Sequence, residues 1–208
     1  MDNRRKNPRG DDLLTDLLDA DMDGRPLTEQ EMIIAVATLL AGGHDTTVRS
    51  LSSLLYEVLS RPLVRQRLLE DPTLIPNAVE EALRLHPSFV GVYRRATSTT
   101  EVGGVTIPEG DSVYLNWTAG NRDPKVFEDP DEFSVERQAR NNRHLTFGHG
   151  IRVCPGALTA RMVLRVALEE LLQRLPDIEL IDPAAVEYKH LNFDSYVIQS
   201  MSARVHAG

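Results

Sequence analysis

The feature that most limits what this chain can become is a helical pattern that begins at Thr28 and runs to about Leu59. Helices in globular proteins are usually far shorter. Its start carries a capping box, Thr28-Glu29-Gln30-Glu31, in which the threonine caps the first turn and Glu31 reaches back to it. Pro62 stops the pattern or opens a new helix. A glycine pair, Gly42-Gly43, interrupts the middle. Each glycine costs roughly 1 kcal/mol relative to alanine inside a helix, so the pair implies that something approaches the backbone there.

The rest of the chain reads as shorter pieces. Residues 1–12 read as a polar head expected to fray, and with no apolar stretch after their basic residues they are not expected to be a secretory leader. Leu13 to Leu18 predicts a short helix, and Asp19 to Arg25 a turn. Pro62 to Glu70 and Ile75 to Leu85 predict two more helices, the second ended by His86-Pro87. From Val92 to about Asn116 the period changes, and Val92-Tyr93, Glu101-Val102, Val105-Ile107 and Val113-Leu115 read as short strands. Asn121 to Gly150 is rich in Asp, Pro, Asn, Arg and Gly and has no period. In a compact domain such a stretch is functional or wrongly assigned. Pro155 to Leu175 reads as an amphipathic helix, and Ile178 to Val205 carries strand-like alternations. The expected fold class is mainly α with small β-sheets.

Composition narrows the function. With 41% hydrophobic and 26% charged residues the chain resembles an ordinary globular protein. The longest apolar stretch, Met32 to Ala41, falls short of the ~20 residues of a membrane span. A formal net charge of −8 argues against nucleic acid as a partner. That charge is uneven: Arg137 to Leu168 holds six arginines (137, 140, 143, 152, 161 and 165) and no Asp or Glu, so this segment is +6 and the remainder −14. Such a run is either a solvated face with some buried ion pairs or a docking surface for an acidic partner. The single cysteine, Cys154, excludes an internal disulfide framework and fits a reducing, cytoplasmic compartment.

Cys154 lies in the loop Phe147 to Gly156, FGHGIRVCPG. It stands directly before Pro155, and proline favours the first helical position, so the expected place of Cys154 is the cap of the following helix. Free N–H groups and the positive dipole end stabilise an anion there by ~0.3–1 kcal/mol, up to ~2 when partly buried. This favours a thiolate. Gly148, Gly150 and Gly156 let backbone approach the sulfur closely on both sides. A lone cysteine is ordinarily an inert core residue, but one in a glycine loop beside Arg152 is not typical of a core. A thiolate so placed can be a nucleophile with His144 or His149 as its base, although no ordered Asn or Asp partner is evident. It can also be a metal ligand, including the axial ligand of haem iron. Phe147 would then pack beside the ligand loop, and Arg152 would pair with a haem propionate.

The loop matches Phe-Gly-x-Gly-x-Arg/His-x-Cys-x-Gly at every specified position and resembles the haem-binding signature of the cytochrome P-450 family. Its Gly-His-Gly form is similar to that of the bacterial soluble members. Glu81 and Arg84, at i, i+3 on one helix, would alone be an ordinary surface pair worth ~0.2–0.5 kcal/mol. They match the family's Glu-x-x-Arg element, and Arg137 in DPDEFSVER matches its third member in the irregular meander. Ala41-Gly42-Gly43-His44-Asp45-Thr46-Thr47 resembles the oxygen-activation element Ala/Gly-Gly-x-Asp/Glu-Thr-Thr. Arg94, with Arg95 beside it, matches the position of a second propionate-binding arginine. Asn121-Arg122-Asp123-Pro124 and Phe127 match the run into the meander.

The resemblance implies a haem-thiolate monooxygenase. Its cofactor would be haem (iron protoporphyrin IX), with Cys154 the one protein ligand to iron and Phe147 and Gly148 in the ligand loop. Gly42 and Gly43 would leave oxygen room against the helix, Thr46 would hold a proton-donating water, and Asp45 would bring protons from solvent. Glu81, Arg84 and Arg137 would form a partly buried charge cluster that fixes the meander. The substrate would be a small organic molecule. Electrons would come from a ferredoxin-type or flavin partner docking on the Cys154 side, on Arg140, Arg143 and Arg161. The layout implied is a head over 1–12 and a partial domain over 13–208, with the oxygen-activation helix at 28–59, the Glu-x-x-Arg helix at 75–85, the meander at 121–146 and the ligand loop at 147–156. The resemblance covers only the C-terminal half of the family's domain. The competing expectation is an incomplete, inactive fragment that binds haem weakly or only with a complementing chain, its long helix exposing apolar surface meant to be covered.

Overall fold

The structure, a computed structural model, describes residues 4, 6, 7, 10, 12–192 and 195–205. The chain forms two compact units, residues 1–45 and 46–208.

In the first unit helix α1 spans Leu13–Asp19 and is capped by Asp12, which accepts from the Thr15 amide at 3.0 Å. The segment expected to be a plain turn is a small hairpin: β1 (Asp21–Met22) pairs antiparallel with β2 (Arg25–Pro26). Its corner residues Asp23 and Gly24 have φ of 55° and 80°, the doubly left-handed turn that suits strand twist. Helix α2 then runs over Glu29–Leu59. The capping box is present, with the Thr28 amide donating to Glu31 Oε2 at 2.8 Å and the Glu31 amide to Thr28 Oγ1 at 3.3 Å. Arg25 binds both oxygens of Glu31 from the hairpin. These bonds, that from Arg25 foremost, hold the Glu31 carboxyl down at about 2. On this part of α2, Ile33, Ile34 and Leu40 are exposed.

In the second unit α3 (Pro62–Glu70), α4 (Ile75–Leu85) and α6 (Ala157–Arg174) build the core. Leu54 and Val58 of α2, Leu68 of α3, Val79, Ala82 and Leu83 of α4, and Leu164, Leu168 and Leu172 of α6 form one buried apolar cluster. The α6 leucines recur every four residues, the spacing that lines one helix face. Helix α4 is the centre: every residue from Ala78 to Leu85 is buried, including Glu80, Glu81 and Arg84. Buried charges need partners, so α4 dictates what the following loops must supply.

The strands lie beyond α4. β3 (Gly91–Arg95) pairs antiparallel with β6 (Ser112–Asn116), and β4 (Thr100–Val102) with β5 (Val105–Ile107). Glycine is required at 91, because a Cβ there would fall inside contact distance of the Leu115 carbonyl and the Tyr114 ring. A short helix, α5 (Trp117–Gly120), capped by the Asn116 side chain, turns the chain into the meander. Two strand pairs close the unit: β8 (Glu187–Asn192) with β9 (Ser195–Ser200), and β7 (Glu179–Leu180) with β10 (Ala203–Arg204). Among the described residues no helix is long and apolar enough to cross a membrane.

Candidate functional site

The loop at 147–156 is shaped by backbone bonds between its ends. The Cys154 amide donates to the Phe147 carbonyl at 2.8 Å, the Val153 amide to Gly150 at 3.0 Å, and the Gly148 amide to Leu145 at 2.7 Å. Gly148 and Gly150 both sit at φ 71°, a backbone that side chains rarely adopt. The result presents Cys154 as an exposed free thiol between the exposed side chains of Ile151 and Val153 and helix α6. The expected cap position is corrected by two residues. Helix α6 begins at Ala157 with Gly156 as its cap, and Pro155 stays outside the helix. The reason is a tight turn in which the Ala157 amide reaches back to the Cys154 carbonyl at 3.3 Å.

Glu81 and Arg84 are fully buried and joined through two parallel bonds, Nε to Oε1 and Nη2 to Oε2, each 2.9 Å. Arg84 also donates to the carbonyls of Asn121 (2.9 Å), Pro130 (2.5 Å) and Glu132 (2.9 Å), which places all five of its N–H groups. Arg137 brings its Nε to 2.9 Å from Glu81 Oε1, an ion-pair contact, and donates from Nη2 to the Glu128 carbonyl at 2.7 Å. The Phe127 ring lies under both guanidiniums, 5.1 Å from that of Arg84 and 5.8 Å from that of Arg137. The structure thus brings Glu81, Arg84 and Arg137 together, with the meander wrapped on them.

A second cluster was not legible as such in the sequence. Glu80 accepts from His144 Nε2 at 2.9 Å and from Arg161 at 2.6 and 3.0 Å. Burial pushes the Glu80 carboxyl up, but the bonds from His144 and Arg161 outweigh it and hold it below its usual range. The Thr146 amide donates to His144 Nδ1 at 3.3 Å, so Nδ1 keeps its lone pair and the proton sits on Nε2, toward Glu80. With both ring nitrogens engaged, His144 is not free to act as a base for Cys154. The Arg161 guanidinium lies 4.5 Å over the Phe147 ring. Arg161, expected as a docking residue for a redox partner, is paired with Glu80, 81 residues earlier in the chain. Phe147 packs against the apolar core from the loop side.

Other residues singled out are divided between the two units. Gly42, Gly43 and Asp45 belong to the first unit, Thr46 and Cys154 to the second. A Cβ added at Gly42 or Gly43 would meet nothing within 4 Å. Arg94 lies on β3, exposed, and donates to the Tyr93 carbonyl. Arg152, Arg140 and Arg143 are exposed, Arg140 donating to Gln138. Asn121, expected only as part of the run into the meander, is fully buried. Its Nδ2 donates to the Arg84 carbonyl and Thr146 Oγ1, and its Oδ1 accepts from the Leu145 amide. Asn77 likewise ties α4 to Val135 and Ala139.

The residues present fit haem. Among the described residues no three His, Cys, Asp or Glu side chains converge on a metal ion. One exposed cysteine sulfur suits a metal that brings its other ligands with it. Within the second unit the exposed cations Arg94 and Arg152 suit a carboxylate-bearing group.

Comparison with known proteins agrees. The family model described as Cytochrome P450 matches residues 1–176. The chain is 43% identical over 182 residues to the mycinamicin IV hydroxylase/epoxidase of Micromonospora griseorubida, covering 86% of this chain and 45% of that protein. It is 42% identical over 184 residues to the nocardicin C N-oxygenase of Nocardia uniformis subsp. tsuyamanensis, covering 88% and 45%. Among solved structures it resembles P450BioI in complex with an acyl carrier protein ligated to hexadec-9Z-enoic acid, with a TM-score of 0.88 and 35% identity over 99% of this chain and 51% of that one. The chain therefore spans about half the length of the proteins it matches.

Proposed function

This chain belongs to the cytochrome P450 family, and from that premise we propose that it is the C-terminal half of a haem-thiolate monooxygenase that inserts one oxygen atom of O2 into a small organic molecule. Relatives named as a hydroxylase/epoxidase and an N-oxygenase support the reaction class. Haem held through the Cys154 thiolate would supply the activation of dioxygen, which an electron-rich sulfur ligand favours. Cys154 Sγ is the protein's ligand, and Arg94 and Arg152 are the cations for the two haem carboxylates. Gly42 and Gly43 keep the helix face bare where side chains would crowd oxygen. Asp45 takes up a proton from solvent, and Thr46 holds the water that passes it on. Glu81, Arg84 and Arg137 keep the meander in place beneath the loop. Electrons come from an acidic iron–sulfur or flavin partner, for which Arg140 and Arg143 are the exposed cations near the loop.

The observation that carries the reading is Cys154, the chain's one thiol, exposed in a loop that meets the family signature at every specified position. The test is the spectrum of the reduced, haem-loaded protein with carbon monoxide. A thiolate-type band is expected, and Cys154→Ala should abolish it; an unchanged spectrum in that variant would overturn the assignment. A second reading, an inactive portion that holds haem only with a complementing chain, is favoured by the half-length match to relatives. The same spectrum taken on this chain alone, then mixed with the other half of a relative, separates the two.

A further inference from the structure

One buried hydroxyl, that of Ser88, reaches the backbone of Thr46, and a second, that of Ser50, lies against it. Ser50 lies one helical turn beyond Thr46 in α2, and Ser88 follows α4 after His86-Pro87; they are 8% and 7% exposed. Ser88 Oγ donates to the Thr46 carbonyl at 3.0 Å across 42 residues of sequence, and it lies 3.0 Å from Ser50 Oγ. A hydroxyl has one proton to give. That of Ser88 is committed to the carbonyl, so in the second contact Ser88 accepts and Ser50 donates. The Ser50 amide is the helical donor to the same carbonyl, four residues back. The Thr46 carbonyl therefore has two donors, one from its own helix and one from outside it.

Buried hydroxyls are costly unless satisfied, and alanine at both places would carry no such demand. Their placement also matters. The glycine pair that weakens α2 ends three residues before Thr46, and the Ser88 bond grips the helix just past that weak point.

We propose that Ser88, backed by Ser50, is a positioning residue that clamps the α2 backbone at Thr46 so that the threonine hydroxyl keeps one orientation during proton delivery. This rests on the role given to Thr46 above. Ser88 touches only the carbonyl, so it acts through Thr46 and not on the reacting atoms.

The experiment uses the haem-loaded protein with an electron donor and has two readouts: hydrogen exchange of the Ser50 amide at rest, and the share of electrons lost to peroxide during turnover. Ser88→Ala should speed that exchange about fivefold, as for one lost hydrogen bond, and raise the peroxide share by a comparable factor. Ser88→Thr keeps the hydroxyl and should restore both. Ser50→Ala leaves the Ser88 bond in place and should move both less. Thr46→Ala, run alongside, separates the two ideas. If it leaves coupling unchanged, the role of Thr46 falls, while the exchange readout still decides whether the clamp exists. If Thr46→Ala uncouples and Ser88→Ala does not, or if Ser50 exchange is unmoved in Ser88→Ala, the positioning proposal is overturned. Should Ser88→Ala fail to load haem, Ser88→Thr and Ser88→Val, equal in shape and different in the hydroxyl, make the same comparison; equal coupling in that pair overturns it.

Discussion

Glu80 and Glu81 are neighbours on α4, yet they hold different parts of the molecule. With 3.6 residues per turn, adjacent side chains point about 100° apart. Glu81 points into the meander, where Arg84, Arg137, Asn142 and the Ser134 amide surround its carboxylate and its side chain is 0% exposed. Glu80 points toward α6 and the cysteine loop, where among the described residues it meets His144 and Arg161, and its side chain is 9% exposed. The first carboxylate is sealed and serves as the floor of an irregular segment that has no period of its own. The second stands at an edge and links α4 to the loop that presents Cys154, through His144 on one side and Arg161 over Phe147 on the other. The difference shows how one short helix positions two loops: a saturated cluster fixes a path, and a smaller one fixes a ring and a turn.

The largest expected effect lies on the sealed side. Arg84→Ala removes all five donors at once and leaves Glu81 and the carbonyls of Asn121, Pro130 and Glu132 facing a buried gap. Breaking a buried ion pair by removing one partner typically costs about 3–5 kcal/mol. The denaturation midpoint of the variant should fall accordingly, and haem should be lost. A variant with normal stability and haem content would show that the meander needs no such floor.

Glu80→Gln should cost less, about 1–3 kcal/mol, because it weakens bonds to two partners and not four. Its sharper signature is in pH. The Glu80 carboxyl is held below its ordinary 4.5 in the folded protein. The stability it contributes is therefore fully present above that value and is lost as pH falls through the lower, folded-state value. Stability measured between pH 7 and pH 3 should decline less steeply in Glu80→Gln than in the parent. Parallel curves would mean that Glu80 contributes only packing.

The same contrast explains what could be read from the sequence. The long helix and the helix at Ile75–Leu85 were legible because apolar period marks them. The Glu81–Arg84 contact was legible because i, i+3 residues share a helix face. Arg137 entered only through the family resemblance, since a meander has no period to place it. Asn121, Asn77 and Ser88 each act through one or two hydrogen bonds to distant backbone, and such contacts leave no local pattern. Arg161 looked like a free charge because Glu80 is far away along the chain. The hairpin at Asp21–Pro26 has strands of two residues, too short for alternation to register. Pro155 resembles a first helical residue, which predicts Cys154 on the helix cap, whereas the turn closed by the Ala157 amide delays the helix to residue 157.

The smallest expected effect tests what Arg161 supplies at the open cluster. Arginine offers a flat fork of N–H groups that can bind both oxygens of one carboxylate and lie over an aromatic face; lysine offers a point charge on a flexible stem. Both uses are present here, since Arg161 gives Nε and Nη2 to the two Glu80 oxygens and lies 4.5 Å over Phe147. Arg161→Lys keeps the charge, so the attraction to Glu80 survives in part, screened because the arginine side chain is 35% exposed. What is lost is the second bond and the plane over the ring, worth about 0.5–1 kcal/mol at such a site. Stability should fall by about that amount, and the pH dependence assigned to Glu80 should remain, because a cation still faces the carboxylate. Arg161→Gln removes the charge as well and should flatten the pH curve toward that of Glu80→Gln. If the lysine variant matches the parent in stability, the charge alone explains the cluster, and the stacking over Phe147 does not hold the loop.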